Sequence, residues 1–491
     1  MRESIWLLFP VFFPIAAGIF LLCAPFLKNR KVVITVTSIG LIITALSIFG
    51  ILCQEADSYT LFYLTKSLPV FFKIDGIGRI FVVVVTVVWL CSGAFAFAYM
   101  KHDRAEKRYF GFYLIVYGVL AGLGFSGNII TFYMFYEIVT LTSVFLVLHT
   151  KSRESIMAGL KYLFYSFCGA YFVLYGIYVL FRFSNTLTFT MGGVLNQELI
   201  QGREPFLLIV TFFMVLGFGV KAGMFPLHGW LPTAHPVAPA PASAVLSGII
   251  VKCGVFGIIR VIYYLFGPDF VRGSWIQTIW MSIALFTVFM GSMLAYREKV
   301  FKKRLAYSTV SQISYILVGL AYMNMTAFTG AVLHMICHAF IKSCLFLCVG
   351  AIISQSGRTN VDEMRGIGKE MPVVMWCYTI CSLALIGIPP TGGFISKWFL
   401  AMGALQSDIS FFDWFGPAVL LASALLTAGY LLPVTIQGFF PGNTYDYESK
   451  KKREPGAAMI LPLLVLTVLT VAAGMFPDSV IKYITANMLI R

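Results

Sequence analysis

Apolar runs of roughly 20 residues recur along the whole chain, separated by short polar turns, and each is long enough to cross a bilayer core of about 30 Å. Fourteen spans are predicted, at 5–26, 32–53, 76–99, 110–126, 128–148, 156–181, 206–223, 242–265, 274–296, 304–323, 326–354, 372–404, 414–439 and 457–476. The seventh and twelfth are interrupted by proline and glycine. The first lies almost at the start of the sequence and has no cleavage-like motif, so it reads as a span and not as a removable signal. Residues 54–74 alternate weakly in polarity, as a short hairpin would. The expected fold is an all-α polytopic membrane protein.

Composition agrees with the pattern. The 491 residues are 59% hydrophobic and 12% charged, with mean hydropathy +0.87, where a soluble chain would carry about twice that charge. The net charge of +15 would suit a nucleic-acid partner, but its placement excludes one. Alternate loops hold Lys28, Arg30 and Lys31; Lys101, Arg104, Lys107 and Arg108; Lys151 and Arg153; Arg297, Lys299, Lys302, Lys303 and Arg304; Arg358, Arg365 and Lys369; and Lys450, Lys451, Lys452 and Arg453. The opposite loops hold only Lys66, Lys73, Arg203 and Arg272. This is the positive-inside pattern, and it predicts both termini outside. No loop is long enough for a soluble nucleotide-binding domain. The ten cysteines include Cys344/Cys348 and Cys377/Cys381, each pair on one helix face. None is spaced Cys-x-x-Cys, so they read as packing residues, with no metal or cluster site.

Charges inside the spans carry the chemistry, because hydrocarbon tolerates ions and broken helices only where protein or water surrounds them. Glu137 lies midway along span five; the alternative to a functional role is a structural carboxylate bonded to a hydroxyl such as that of Thr140. Lys221 ends span seven, and Pro226, Pro232, Pro236, Pro239 and Pro241 prevent a continuous helix beyond it. His228 and His235 in this broken region either relay protons or brace the loop. Lys252 lies within span eight, whereas Arg260, two turns on, reads as structural. Lys161, near the inner end of span six, can be explained by snorkelling. His334, His338 and Lys342 recur at i, i+4 and i+8, a stripe of about 12 Å on one helix face. Span twelve repeats the combination of a break, Gly387 to Gly393, and a lysine, Lys397. Two such breaks five spans apart point to inverted repeats with ion sites at the midplane. The expected organisation is peripheral helices at 1–109, a first five-helix repeat at 110–265, an inverted second repeat at 266–440, and a last helix at 441–491.

These residues resemble the proton-conducting antiporter-like membrane subunits of respiratory complex I, membrane-bound hydrogenases and Mrp-type cation/proton antiporters. The likeness rests on Glu137, on Lys221 with Phe225 to His235, on Ala242 to Gly254, on Leu333 to Lys342, and on the Gly387 to Phe394 break, within about residues 75–440. It implies that Glu137 and Lys221 pair to gate proton movement. Lys252 would lie on a central polar axis that His334, His338 and Lys342 continue, and Lys397 would open it to one side. Some members carry glutamate at this last position. The resemblance further implies partners among other membrane subunits, homologous antiporter-like ones included. No histidine pair looks like a haem site and the cysteines lack cluster spacing, so no cofactor is expected; the basic loops and the lack of a transit peptide predict a bacterial or archaeal inner membrane. The transported ions would be protons, with or without sodium. No lateral helix or further spans follow span fourteen. That favours the medium Mrp subunit, with the medium complex I or hydrogenase subunits as the alternative.

Overall fold

The computed structural model describes residues 4–24, 29–53, 58–407, 409, 411–442 and 452–488. Lys28, Lys450 and Lys451 of the basic loops lie outside them. The chain is a multi-pass membrane protein in which helices account for nearly all regular structure. After a short turn come α1 (Phe9–Cys23), α2 (Arg30–Leu52), α3 (Gly76–Tyr99), α4 (Glu106–Gly124), α5 (Ile129–Val147) and α6 (Arg153–Phe183). The first break separates α7 (Glu204–Ala222) from the short α8 (Leu231–Val237), and α9 runs over Ala240–Phe266. Then follow α10 (Trp275–Arg297), α11 (Phe301–Ala321), α12 (Met325–Ser356), and α13 (Pro372–Ile386) with α14 (Gly392–Leu405) across the second break. The last are α15 (Phe411–Phe439), α16 (Ala457–Met475) and the amphipathic α17 (Asp478–Asn487). Among the described residues, 11 helices are long and apolar enough to cross a membrane. The expected spans outside that set are α4, α11, and the broken pair α13 and α14.

Polar residues at the turns start many of these helices. Asn29, Asp75, Asn128, Ser152 and Asn324 each accept a bond from a first-turn backbone N–H, filling donors the helix cannot satisfy itself. The weakly alternating loop forms an antiparallel hairpin, Ser58–Thr65 with Leu68–Lys73, registered by Tyr59 opposite Phe72 and Phe62 opposite Val70. It leans on the start of α5, where Phe71 N donates to Thr131 Oγ1 at 3.0 Å.

Burial ranks the helices. Within their apolar windows, α9 is 100% buried and α12 89%, against 33–67% for the other candidate spans. The two most buried candidate spans are thus those carrying Lys252 and the His334–His338–Lys342 stripe, and α11, which meets both, is buried along nearly its whole length. Close packing around them needs small residues. A Cβ on Gly254 of α9 would lie 2.5 Å from Phe218 O and 2.6 Å from Ala222 N of α7, so glycine lets α9 cross the last turn of α7. On the outside, α6 presents Phe164, Tyr171 and Tyr178, as a lipid- or partner-facing helix does.

Arg260 is fully buried, as a structural residue would be. Its guanidinium donates through both Nη atoms to Asp75, the N-cap of α3, and packs against the rings of Phe189, Phe256 and Tyr264. Asp75→Ala should therefore destabilise the protein by about 3–5 kcal/mol, because it strands a buried charge, and Asp75→Ala with Arg260→Met should recover most of that loss. Thermal unfolding in detergent measures both; equal losses in the single and double variants would contradict the pairing.

Candidate functional site

The first break is built by hydrogen bonds that replace the lost helix ladder. Gly223, in the left-handed conformation at φ 75°, closes α7: Gly223 N donates to Val220 O at 3.1 Å and Met224 N to Gly219 O at 2.9 Å. Trp230 Nε1 donates to Val220 O at 2.9 Å, and Phe225 N to Thr287 Oγ1 at 3.1 Å. The second break opens in the same way, with Gly387 at φ 97° after α13. Each break holds one cis X–Pro bond, Phe225–Pro226 and Pro389–Pro390.

Lys221 is fully buried in the last turn of α7, where the helix dipole favours a cation. Its Nζ donates to Thr140 Oγ1 at 2.6 Å and to Tyr136 O at 3.0 Å, and sits 3.7 Å from the centre of the Tyr136 ring. The implied ion pair with Glu137 is not formed. Glu137, one position along α5 from Tyr136, is half-buried, and its Oε1 has no protein partner. The physical reason is direction: residues 136 and 140 share a face of α5 that meets α7, whereas 137 turns towards the outer surface with exposed Ile138 and Leu141. Thr140, the hydroxyl considered for Glu137, serves Lys221 instead.

Lys252 follows directly on a π-helical turn, Leu246–Ile250, in α9. Its Nζ donates to Ser247 O at 2.8 Å, and Ser247 Oγ bonds Thr309 Oγ1 of α11 at 2.7 Å. The α12 stripe lies on the same interior. Lys342 Nζ donates to Ser308 Oγ at 2.7 Å and Leu305 O at 3.1 Å. His334 and His338 stack with ring centroids 5.9 Å apart, and His334 also stacks on Tyr315 at 5.6 Å. Ser396 Oγ donates to Gly393 O at 3.0 Å, so His334 Nδ1, 2.9 Å from Ser396 Oγ, is the donor in that bond, and its Nε2 keeps the lone pair. Neither ring nitrogen of His338 has a protein partner, nor has either amide atom of Gln312. Lys397 Nζ donates to Leu385 O at 2.6 Å and Ile386 O at 3.0 Å, the last carbonyls of α13, and lies 4.8 Å from the Tyr315 ring.

The accessory candidates divide. His235 is fully buried with both ring nitrogens unpartnered by protein, and stacks on Phe346 at 4.7 Å. His228 stacks on Phe225. Lys161 is half-buried in a cleft between α6 and the break: a Cβ on Gly229 would lie 3.7 Å from its Nζ. The sequence reading missed Tyr136, Ser247, Ser308, Thr309, Gln312, Tyr315 and Ser396. A signal was present on α11, where Ser308, Gln312 and Tyr315 recur at i, i+4 and i+7 within an apolar span. Among the described residues no group of three or more His, Cys, Asp or Glu is placed to hold a metal ion.

Two broken helices around a buried row of lysines and histidines define a multi-pass membrane protein organised about a cationic interior axis. Comparison with known proteins specifies it further. The family model for the transmembrane part of NADH:quinone oxidoreductase/Mrp antiporter subunits matches residues 126–432, and that for the N-terminus of complex I chain 5 matches residues 64–110. The chain belongs to this antiporter-like membrane subunit family. It is 31% identical to an NADH-quinone oxidoreductase subunit of Desulforudis audaxviator over 422 residues, 83% of this chain and 82% of the other. It is 27% identical to a Na(+)/H(+) antiporter subunit of Alkalihalophilus pseudofirmus over 409 residues, 83% of this chain and 81% of the other. A chain of the Mrp complex from Dietzia sp. DQ12-45-1b shares the fold, with TM-score 0.82 at 21% identity over 98% of this chain and 96% of that one.

Thr140→Val keeps the volume of Thr140 and removes its oxygen. Lys221 should then turn along α5 from Thr140 to the Glu137 carboxylate, the next acceptor within electrostatic range. An experimental structure of the variant checks this, and a Lys221 ammonium that stays on Tyr136 O would count against it.

Proposed function

We propose that this chain is the ion-translocating membrane subunit of a multisubunit complex of the Mrp antiporter type, and that it conducts protons along Glu137, Lys221, Lys252, Lys342, His338, His334 and Lys397. The single observation that carries the reading is that four lysines at membrane depth are held by neutral oxygens alone. Burial opposes a charge that no counter-charge locks in place, whereas a carboxylate brought close restores it. A change in a partner subunit brings Glu137 to Lys221 or draws it away. On approach Lys221 takes a proton; on withdrawal it releases that proton through water towards Lys252 and the α12 stripe. Lys397 of α14, held on the last carbonyls of α13, passes it to the far side. Residues 110–265 and 266–440 act as two inverted copies of one device, one break in each. The basic loops face the cytoplasm of a bacterial or archaeal cell, with both termini on the other side. Exchange against sodium is part of the Mrp reading.

A second reading has its own support. The 31% identical relative is a quinone oxidoreductase subunit, so the chain also fits a proton-pumping subunit of a complex I-like or hydrogenase complex whose other subunits hold the redox cofactors. Purification of the tagged chain with its partners distinguishes the two. Iron–sulfur subunits in the preparation identify a pump; membrane subunits without them identify an antiporter.

Glu137→Ala and Lys221→Ala in the assembled complex should each abolish transport, measured as dye-reported acidification in inverted vesicles. Normal transport in an assembled Lys221→Ala complex would sink the scheme.

A further inference from the structure

Lys342 has two acceptors, and one of them is shared. Ser308 Oγ, 2.7 Å from Lys342 Nζ, also accepts from the phenol of Tyr430 at 2.7 Å. Tyr430 belongs to α15, a helix that contributes nothing to the proposed proton path and exposes Leu421, Leu425 and Ile436 to the surroundings. Its ring is buried, and the phenol oxygen has a second neighbour, Thr427 Oγ1 at 3.3 Å. Its backbone is fixed to the same face of α11: Tyr430 O accepts from Arg304 Nη1 at 2.9 Å, one turn from Ser308. Pro433 lies just beyond, inside α15, and its missing N–H interrupts the helix ladder at this point.

We propose that Tyr430 is a positioning residue for proton transfer at Lys342, acting through Ser308 and tying the state of that lysine to the placement of α15. The proposal rests on the reading that Lys342 carries protons. The hydrogen bonds give the mechanism. While Lys342 is an ammonium, Lys342 and Tyr430 both donate to Ser308 Oγ and use both its lone pairs. When Lys342 is a neutral amine, its own lone pair can accept, and the bonds run in one direction from Tyr430 to Ser308 to Lys342. Tyr430 therefore competes with the ammonium for Ser308 in the first state, and strengthens Ser308 as a donor to the amine in the second, since bonds in a chain polarise one another. Both effects favour the neutral amine. Movement of α15 at the Pro433 interruption, driven by whatever packs on its exposed face, draws the phenol from Ser308 and lets Lys342 hold a proton. The other ionisable groups bearing on Lys342 are Lys252 of α9, His235 of α8 and His338 one turn back on α12, all of which these substitutions leave in place. The Cys344 thiol, next along α12, engages Cys348 and Thr467 instead.

The test is the pH profile of transport in vesicles carrying the whole complex. Tyr430→Phe removes one hydroxyl and keeps the ring. The alkaline limb, where Lys342 stays neutral, should move up by about half to one pH unit, a three- to tenfold change in proton concentration. Tyr430 replaced by 3-fluorotyrosine, a stronger donor of nearly the same shape, should move it the other way. A residue that merely anchors α15 would change the yield of complex and leave the profile where it was. An unmoved limb in assembled Tyr430→Phe complex, or shifts of the same sign in both variants, overturns the proposal. If Tyr430→Phe does not assemble, the fluorotyrosine arm decides alone: an acid shift supports the proposal and any other result overturns it. Lys342→Ala separates the two levels, since normal transport in that variant would remove the reading beneath the proposal, whereas lost transport with an unmoved Tyr430→Phe profile would remove only the proposal.

Discussion

A lysine ammonium at membrane depth has to find oxygen atoms, and the whole interior of this protein is arranged around that requirement. Each of the four axis lysines reaches at least one backbone carbonyl. Carbonyls carry two lone pairs, so a helix can give one to its own ladder and lend the other. Where the ladder is irregular more are on offer. Lys252 follows a π-helical turn and takes a carbonyl within it. Lys397 takes the last carbonyls of α13, which the second break leaves without intrahelical partners. The second break and the π turn, which local propensity would disfavour, thus help make Lys252 and Lys397 tenable, whereas Lys221 and Lys342 borrow a carbonyl and a hydroxyl from the neighbouring helices α5 and α11.

Neutral oxygens hold a cation without fixing it. A carboxylate at 3 Å would make each lysine a permanent ion pair, and a membrane interior strengthens such pairs. The one carboxylate on the proposed proton path, Glu137, stands beside Lys221 without touching it, on the side of α5 that faces outward. That placement suits a group whose distance from Lys221 is set by a neighbour. The same logic applies further along the axis, where the hydroxyls of Ser308 and Tyr430 surround Lys342 with groups that can turn from acceptor to donor.

Much of this was legible in the sequence. Apolar runs gave the helices, proline and glycine gave the breaks, and an i, i+4, i+8 spacing placed His334, His338 and Lys342 on one face that is buried in the fold. The hairpin at 58–73 was foreshadowed by weak alternation. What the residues could not reveal was partnership. Lys221 meets Tyr136 and Thr140 instead of Glu137 because helix phase, fixed only when α5 and α7 pack, decides which face of α5 it reaches. Lys161 points towards the break because α6 lies against it, a contact between residues 161 and 229 that no local pattern encodes. Ser308, Thr309 and Ser247 are ordinary residues in apolar helices until α9, α11 and α12 bring them together.

The central claim is that protons cross through the buried lysine axis, and Lys252, on the most deeply buried of the candidate spans, lies between Lys221 and the α12 stripe on the proposed path. Lys252→Met preserves length and packing while removing the titrating group. Proton translocation by the purified, assembled Lys252→Met complex in liposomes tests the claim most directly. The account predicts an intact complex with translocation reduced to background. Translocation at the unmodified rate would show that the axis is not the path.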